Sequence, residues 1–235
     1  MKYSCDNRDQ PLRQLAADLH RESVQPCFPS LSPPLNRKDC QMENFESLAR
    51  RNQRRARELI RLSGVREAWE SIGAEVNLIG SLATGLLAKH RDIDFHVYTD
   101  TLEPEPGFRV LAALCANPAA LRCEYRNLAA TGEECLEWHL WYLHRKEEWQ
   151  IDMIQIRRGS CFDGYFERVA QRIRAVLTPE TRRTILELKY LTPDNEPIRG
   201  IEYCQAVIAD GVRSWAQFAD WRHSHPQADI VTWIP

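Results

Sequence analysis

The stretch GSLATGLLAKHRDIDFHV, residues 80–97, decides the fold that this sequence predicts. The apolar residues that lead into it, 74–80, predict a β-strand, and residues 81–89 predict a short helix rich in small side chains. Residues 93–99, IDFHVYT, then predict a second strand with an apolar and a polar face. A strand, a tight turn, a helix and a second strand therefore follow one another directly along the chain.

Two small residues mark the turn between the first strand and the helix. Gly80 has no side chain, so a phosphate can approach its backbone closely, and Ser81 brings a hydroxyl to a helix start with unpaired N–H groups. Thr84 and Gly85 lie one turn further on, where a small residue at 85 would keep the helix close to its strand. We expect these four residues to form the nucleotide-binding turn, the last two through their position.

Two aspartates one residue apart open the second strand. Successive side chains of a strand point to opposite faces, so Asp92, Asp94 and His96 share one face. Ile93 and Phe95 can then enter the core. Adjacent carboxylates repel one another unless a cation lies between them, and hard oxygen ligands suit Mg²⁺ or Mn²⁺. The pair therefore predicts a site for a divalent metal ion.

A third aspartate stands within a later apolar segment. Residues 137–144 and 149–156 predict the arms of a β-hairpin with the polar turn RKEE between them, and Asp152 lies inside the second arm. A carboxylate is costly to bury there without a partner. If this arm lies beside residues 93–99, Asp152 completes a two-metal site and can accept the proton of an attacking hydroxyl.

These motifs together resemble the DNA polymerase β-like nucleotidyltransferase superfamily. The residues that carry the resemblance are Gly80-Ser81, then after ten residues Asp92-x-Asp94, and a later strand-borne Asp152, within residues 64–158. The resemblance implies transfer of a nucleoside monophosphate from a triphosphate to an acceptor hydroxyl, with pyrophosphate leaving. It implies that Asp92 and Asp94 bind both metal ions. It also implies that Asp152 binds one metal and helps to activate the nucleophile, and that Gly80-Ser81 holds the β- and γ-phosphates.

The two halves of the chain differ in kind, which predicts an α+β architecture. A small mixed sheet with flanking helices is expected first, and a run of helices is expected after residue 159. We predict three parts: an N-terminal extension with a Pro-rich linker, 1–41; a nucleotidyltransferase domain with a leading helix, 42–158; and a helical C-terminal domain, 159–235. The individual predicted helices are 12–19, 42–62, 81–89, 108–116, 166–177, 179–191, 198–209 and 215–223.

The composition is that of an ordinary globular chain. Of its 235 residues 27% are charged and 43% hydrophobic, and the formal net charge of −2 gives no global attraction to nucleic acid or anionic lipid. We therefore expect a small molecule or a protein as the acceptor in preference to a nucleic acid end. The eight cysteines form no Cys-x-x-Cys pair and no apolar run is long enough for a bilayer, so a cytoplasmic location is expected.

Several other side chains have two interpretations. The leading helix carries six arginines that could steer a triphosphate or a polynucleotide, but a solvated helix face is favoured. Lys189 could reach a triphosphate from the C-terminal half, but a solvated lysine is again favoured. His139 and His144 lack the companions that a zinc site needs and are interpreted as structural. The tryptophans of the predicted hairpin are interpreted as core side chains.

Two alternatives to a nucleotidyltransferase stay open at this point. A non-catalytic module of the same fold could sense a nucleotide or bind a protein, although an intact set of three acids argues against it. Asp-x-Asp glycosyltransferases and aspartyl phosphatases usually place an apolar strand before the first acid, whereas Lys89, His90 and Arg91 precede Asp92 here. The predicted function is nucleotidyl transfer from a nucleoside triphosphate with Mg²⁺ or Mn²⁺.

Overall fold

The computed structural model describes residues 37–226 and 233–235. The predicted helix 12–19 and nearly all of the predicted N-terminal extension lie outside these described residues. The elements are, in chain order, α1 (Arg37–Ser63), α2 (Val65–Glu70), β1 (Glu75–Leu78), α3 (Gly80–Thr84), β2 (Asp92–Thr99), α4 (Pro104–Cys115), β3 (Ala120–Asn127), β4 (Cys135–His144), β5 (Glu147–Arg157), α5 (Tyr165–Val176), α6 (Pro179–Leu191), α7 (Gly200–Cys204) with a π-helical continuation (Gln205–Ala209), and α8 (Trp215–Ser224).

A five-stranded mixed sheet in the order β1-β2-β5-β4-β3 organises the fold. Strands β2 and β5 are parallel, and every other neighbouring pair is antiparallel. Strands β4 and β5 meet in a two-residue turn in which Arg145 and Lys146 have φ of 52° and 65°. Two successive positive φ angles are typical of a type I′ hairpin turn, whose twist matches that of the strands. The α+β prediction is confirmed.

One face of this sheet supplies the main apolar core. Ile93, Phe95 and Val97 of β2 are fully buried, and the neighbouring β5 contributes Ile151 and Met153. Helices α1, α2 and α4 add their apolar side chains to the same cluster. Burial of an aliphatic or aromatic side chain of this size is worth about 1.5–3 kcal/mol. Because side chains alternate along a strand, the aspartates of β2 are directed to the opposite face.

The C-terminal helices form an apolar core of their own. Side chains of α5, α6 and α8, among them Ile173, Ile185 and Phe218, cluster there with Leu86, which follows α3. The helical character of the C-terminal part is thus as predicted, whereas the domain boundary at residue 159 stays a prediction. None of the described helices combines the length and apolar character needed to span a membrane.

The predicted helix 81–89 is too long. Helix α3 has only five residues and ends at Gly85, whose φ of 75° is left-handed. A left-handed glycine is a common helix C-cap because other residues are strained there. A Cβ at Gly85 would meet no heavy atom of the described residues within 4 Å. The expectation that a small residue at 85 keeps the helix close to its strand is therefore wrong, and the backbone conformation explains the glycine instead.

Candidate active site

Three carboxylates come together on the sheet face opposite the main core. Strand β2 pairs with β5 in parallel, and the register places Asp94 directly beside Asp152 and Asp92 beside Gln150. Since side chains alternate along each strand, both aspartates of β2 share this face with Asp152. The structure therefore supplies the strand adjacency on which the sequence prediction depended.

Asp94 is a buried carboxyl group with two other acids close to it. Removal from water, together with the negative charges of Asp92 and Asp152, raises the pKa of Asp94 to about 8, against the opposing influence of Lys189 and a backbone hydrogen bond from Ser81. A carboxyl group with such a pKa has too little positive charge near it to ionise readily. The site thus favours the arrival of a cation.

Gly80 has a specific steric reason to be glycine. It begins α3 with φ of 67°, and a Cβ built on it would lie 2.0 Å from Asp94 Oδ2. No side chain fits at that distance, so the backbone of the turn and the carboxylate approach each other only because residue 80 is glycine. The turn and the first two acids therefore form one compact unit.

Lys189 reaches the same turn from the helical half of the chain. Its Nζ donates a hydrogen bond of 2.6 Å to Ser81 Oγ and another of 3.2 Å to the Leu86 carbonyl. The side chain is partly buried in these contacts. The interpretation of Lys189 as a solvated lysine is therefore wrong, because α6 packs against the segment that contains α3. A positive charge stands beside the Gly80-Ser81 turn.

Asp152 is held by two neighbours, His139 and Gln150, that no sequence motif links to it. His139 Nδ1 lies 2.5 Å and Gln150 Nε2 lies 2.8 Å from Asp152 Oδ1. The hydrogen bond to Asp152 raises the pKa of His139, and Glu137 raises it further. His139 had been interpreted as structural, and the register of β4 on β5 is the reason that it faces the third acid.

A cavity of about 860 Å³ opens in front of these groups. Its volume lies within the range of small-molecule sites, about 300–1,000 Å³. Asp92 and Asp94 line it, whereas Asp152 stands beside it on the neighbouring strand. The predicted nucleotide-binding residues Gly80, Ser81 and Thr84 line it as well, but Gly85 does not. The other side of the cavity is apolar, with wall residues that include Phe166, Val169 and Ile173 of α5.

Comparisons with known proteins agree with this geometry. Residues 62–176 match the family model described as a nucleotidyltransferase domain. The solved complex of the non-canonical poly(A) polymerase GLD-2 with GLD-3 is similar in fold, with 10% identity and a TM-score of 0.50 over 79% of this chain and 63% of that one. A mutant of the Cid1 poly(U) polymerase bound to MgATP has 16% identity and a TM-score of 0.50 over 67% and 49%. No curated protein matches the sequence.

Residues 62–176 thus form a nucleotidyltransferase domain, in agreement with the resemblance that the sequence predicts. The prediction of an enzyme of the nucleotidyltransferase class is confirmed with it. The two solved structures, at 10% and 16% identity, establish the fold alone, and the chain spans less than two thirds of the length of either. The match to a nucleotidyltransferase domain argues against the alternatives of an Asp-x-Asp glycosyltransferase and an aspartyl phosphatase.

The expected order of acceptors is wrong. A small molecule or a protein was preferred over a nucleic acid end, whereas the solved structures with this fold are named as poly(A) and poly(U) polymerases. The preference relied on the formal net charge of −2. Net charge is a sum over the whole chain and does not report how the arginines are distributed over its surface.

Proposed function

We propose that this protein transfers a nucleoside monophosphate from a nucleoside triphosphate to the terminal hydroxyl of an RNA strand, with release of pyrophosphate. One observation carries the proposal: Asp92, Asp94 and Asp152 lie on the same face of two adjacent strands, with Asp94 against the Gly80-Ser81 turn. This constellation lies within the matched nucleotidyltransferase domain. The poly(A) and poly(U) polymerases of similar fold support RNA as the acceptor.

The carboxylates of Asp92, Asp94 and Asp152 have the chemistry of ligands for a divalent metal ion. Their donors are hard oxygens, which suit Mg²⁺ and Mn²⁺, and we propose Mg²⁺ as the working ion. A bound dication would lower the raised pKa of Asp94, because its positive charge offsets the repulsion from Asp92 and Asp152. When bound, the metal neutralises charge on the phosphates and aligns the attacking and leaving groups.

The Gly80-Ser81 turn and Lys189 fit the β- and γ-phosphates. The bare backbone of Gly80 gives close access, and the Ser81 hydroxyl is a hydrogen-bond donor to a phosphate oxygen. The Lys189 ammonium lies 2.6 Å from Ser81 Oγ, so it places one positive charge where the leaving pyrophosphate gathers negative charge. These groups hold the triphosphate with its α-phosphorus towards the acids.

Asp152 is placed to act on the acceptor. It stands one strand beyond Asp94, outside the wall of the nucleotide cavity, with 18% of its side chain exposed. In the proposed step its carboxylate takes the proton of the acceptor hydroxyl, and the hydroxyl oxygen forms a bond to the α-phosphorus. The bond from the α-phosphorus to the bridging oxygen breaks, and pyrophosphate leaves with that oxygen.

The exposed arginines of helix α1 support the proposal that the acceptor is a polyanion. Arg50, Arg54, Arg57 and Arg61 are exposed, and their spacing of four, three and four residues places them on one face of the helix. At a rise of about 1.5 Å per residue this face extends over about 16 Å. Of the four, only Arg50 pairs with a carboxylate among the described residues. A row of arginines of this length matches the repeated phosphates of a nucleic acid strand.

Helix α1 is also connected to the site. Asn52 donates to the Ala88 carbonyl at 2.8 Å, in the segment that leads into β2. Glu147 pairs with both Arg55 of α1 and Arg91, and Arg91 immediately precedes Asp92. The arginine-bearing helix therefore packs against the segment that presents the first acid.

Primer extension tests the proposal directly. The purified protein is incubated with a labelled RNA oligonucleotide, Mg²⁺ and each ribonucleoside triphosphate in turn, and both strand length and pyrophosphate are measured. Extension by one triphosphate names the donor. Asp94→Asn should abolish extension while leaving the melting temperature close to that of the wild type, because it removes a metal ligand with little change of volume.

Two outcomes would contradict the proposal. If Asp94→Asn still extends the RNA, the acids do not have the proposed role in the reaction. Stabilisation by a triphosphate with Mg²⁺ but without pyrophosphate release, whatever acceptor is offered, would favour the non-catalytic nucleotide-sensing module.

A further inference from the structure

The carboxylate of Asp152 is held by one of its two oxygens. His139 Nδ1 and Gln150 Nε2 both contact Oδ1, at 2.5 and 2.8 Å. Because a carboxylate oxygen accepts hydrogen bonds, we assign the imidazole proton to Nδ1, which donates it to Oδ1. Among the residues that the structure describes, none donates a hydrogen bond to Oδ2. The contacts therefore fix the plane of the carboxylate and leave its second oxygen available.

His139 is itself oriented by its surroundings. Its Nε2 lies 3.5 Å from Glu137 Oε2, and Glu137 in turn accepts a 2.7 Å hydrogen bond from Arg126. The side chains of His139 and Glu137 are 15% and 13% exposed, so little room is left for other rotamers. Both residues belong to β4, and the antiparallel register sets His139 directly opposite Asp152. The imidazole is thus held between two carboxylates with Nδ1 directed at Asp152.

We propose that His139, oriented by Glu137, is a positioning residue for Asp152 in the transfer reaction. The inference rests on the proposed function, because it assigns His139 to the carboxylate that takes the hydroxyl proton. With Oδ1 fixed, Oδ2 would be the oxygen left to bind a metal ion and to take the hydroxyl proton. Partners that orient a metal-binding side chain typically account for about 10–100-fold in metal affinity or activity. Gln150 holds the same oxygen from β5 and shares this role.

Replacement of His139 tests whether the hydrogen bond, or only the bulk of the ring, matters. His139→Phe keeps an aromatic ring without a donor, His139→Ala removes the ring, and His139→Asn places an amide N–H close to the position of Nδ1. We expect kcat to fall about 10–100-fold in the Phe and Ala variants, with KM for the triphosphate within about twofold of wild type. His139→Asn should recover most of the loss.

A second readout does not depend on turnover. Mn²⁺ binding, followed by electron paramagnetic resonance with a triphosphate analogue that has a methylene group between the α- and β-phosphorus atoms, should weaken about tenfold in His139→Phe and recover in His139→Asn. Melting temperatures identify any variant that fails to fold, in which case the other donor-free variant is compared with His139→Asn. The proposal would be overturned if Mn²⁺ binding weakened equally in His139→Asn and in a folded variant without the donor, His139→Phe or His139→Ala. It would also be overturned if Mn²⁺ binding weakened in none of them.

Asp152→Asn separates this proposal from the proposed function. If His139 acts through Asp152, adding His139→Phe to Asp152→Asn should weaken Mn²⁺ binding no further. A further tenfold loss in the double variant would show that His139 acts elsewhere. If Asp152→Asn alone retains full turnover, the assignment of the third acid fails. If Asp152→Asn is inactive while His139→Phe is as active as the wild type, the role of His139 alone fails.

Discussion

At the scale of single residues, the contact between Gly80 and Asp94 is the tightest constraint on the site. The turn backbone lies so close to the carboxylate that a Cβ at position 80 would come within 2.0 Å of Oδ2. Gly85, five residues later, has a similar positive φ of 75° but an open environment. Both glycines have a left-handed backbone and only Gly80 lies against the carboxylate, which makes Gly85 a useful control for mutation.

Gly80→Ala should reduce turnover about 100-fold, because Asp94 must move by about 1 Å or more to admit the methyl group. Gly85→Ala should cost about 1–2 kcal/mol of stability from its left-handed backbone and leave turnover within about threefold. The measurements are steady-state kinetics and thermal melting of both variants. Equal kinetic losses in both would show that the backbone conformation, and not the contact with Asp94, explains Gly80.

Lys189 places a positive charge beside the Gly80-Ser81 turn. Lys189→Met should raise KM for the triphosphate about tenfold, which corresponds to about 1.4 kcal/mol. Lys89→Met is the control, since Lys89 bonds the Thr192 carbonyl and Asp194 and does not line the cavity. A steady-state titration with the triphosphate checks both variants. An unchanged KM for the triphosphate in Lys189→Met would show that Lys189 does not help to bind the triphosphate.

At the scale of elements, α1 combines a buried face with an arginine face. Ala49, Ala56 and Leu59 are fully buried, whereas the four arginines of the exposed face lie on the other side of the helix. Like charges three and four residues apart on a helix repel one another. The arrangement therefore weakens the isolated helix, and an anionic partner would relieve that repulsion.

Changing Arg50, Arg54, Arg57 and Arg61 together to Gln should weaken RNA binding and its salt dependence. Each phosphate contact with a single strand contributes about 0.7 to the slope of log K against log salt, so loss of four contacts lowers the slope by about 3. Fluorescence anisotropy of a labelled oligonucleotide over a salt series measures it. The same four positions changed to Lys should keep the slope, and equal slopes in all three proteins would exclude α1 as an RNA-binding surface.

The length of the turn between β4 and β5 decides which residue of β4 stands opposite Asp152. With the predicted four-residue turn RKEE, Trp141 would stand opposite Asp152. The observed turn contains only Arg145 and Lys146, and it places His139 there instead. A shift of two residues keeps every side chain on its face but exchanges the partner of the third acid.

At the scale of the whole molecule, the acids couple metal binding to stability. In the metal-free protein the pKa of Asp94 is about 8, against an ordinary value near 4. Between these two pH values the folded chain retains a proton that the unfolded chain has released. The free energy of unfolding therefore falls as the pH rises from about 4 to about 8.

The melting temperature in EDTA should accordingly decrease between pH 5 and pH 8, by roughly 10 °C from this group. Asp94→Asn should lack this contribution, because it has no proton to lose. Mg²⁺ with a triphosphate should restore the wild type at pH 8 and not the variant. Differential scanning fluorimetry over a pH series checks all three, and identical pH profiles for the two proteins would contradict the electrostatic account of Asp94.

The sequence by itself determined the fold class, and it predicted which three acids share one face of the sheet. Strand alternation puts Asp92 and Asp94 on one face, and the glycine before α3 marks the turn, because both depend on the backbone of a few consecutive residues. Helix lengths were less well predicted, since the end of α3 depends on the left-handed conformation of Gly85.

The tertiary structure alone decided which distant side chains complete the site. Lys189 meets Ser81 across 108 positions of sequence, and His139 meets Asp152 only because of a two-residue turn. Only the tertiary structure shows that the arginine-bearing helix α1 packs against the segment before Asp92. Contacts of this kind are set by turn geometry and by the packing of helices on a sheet, which no local pattern of residues encodes.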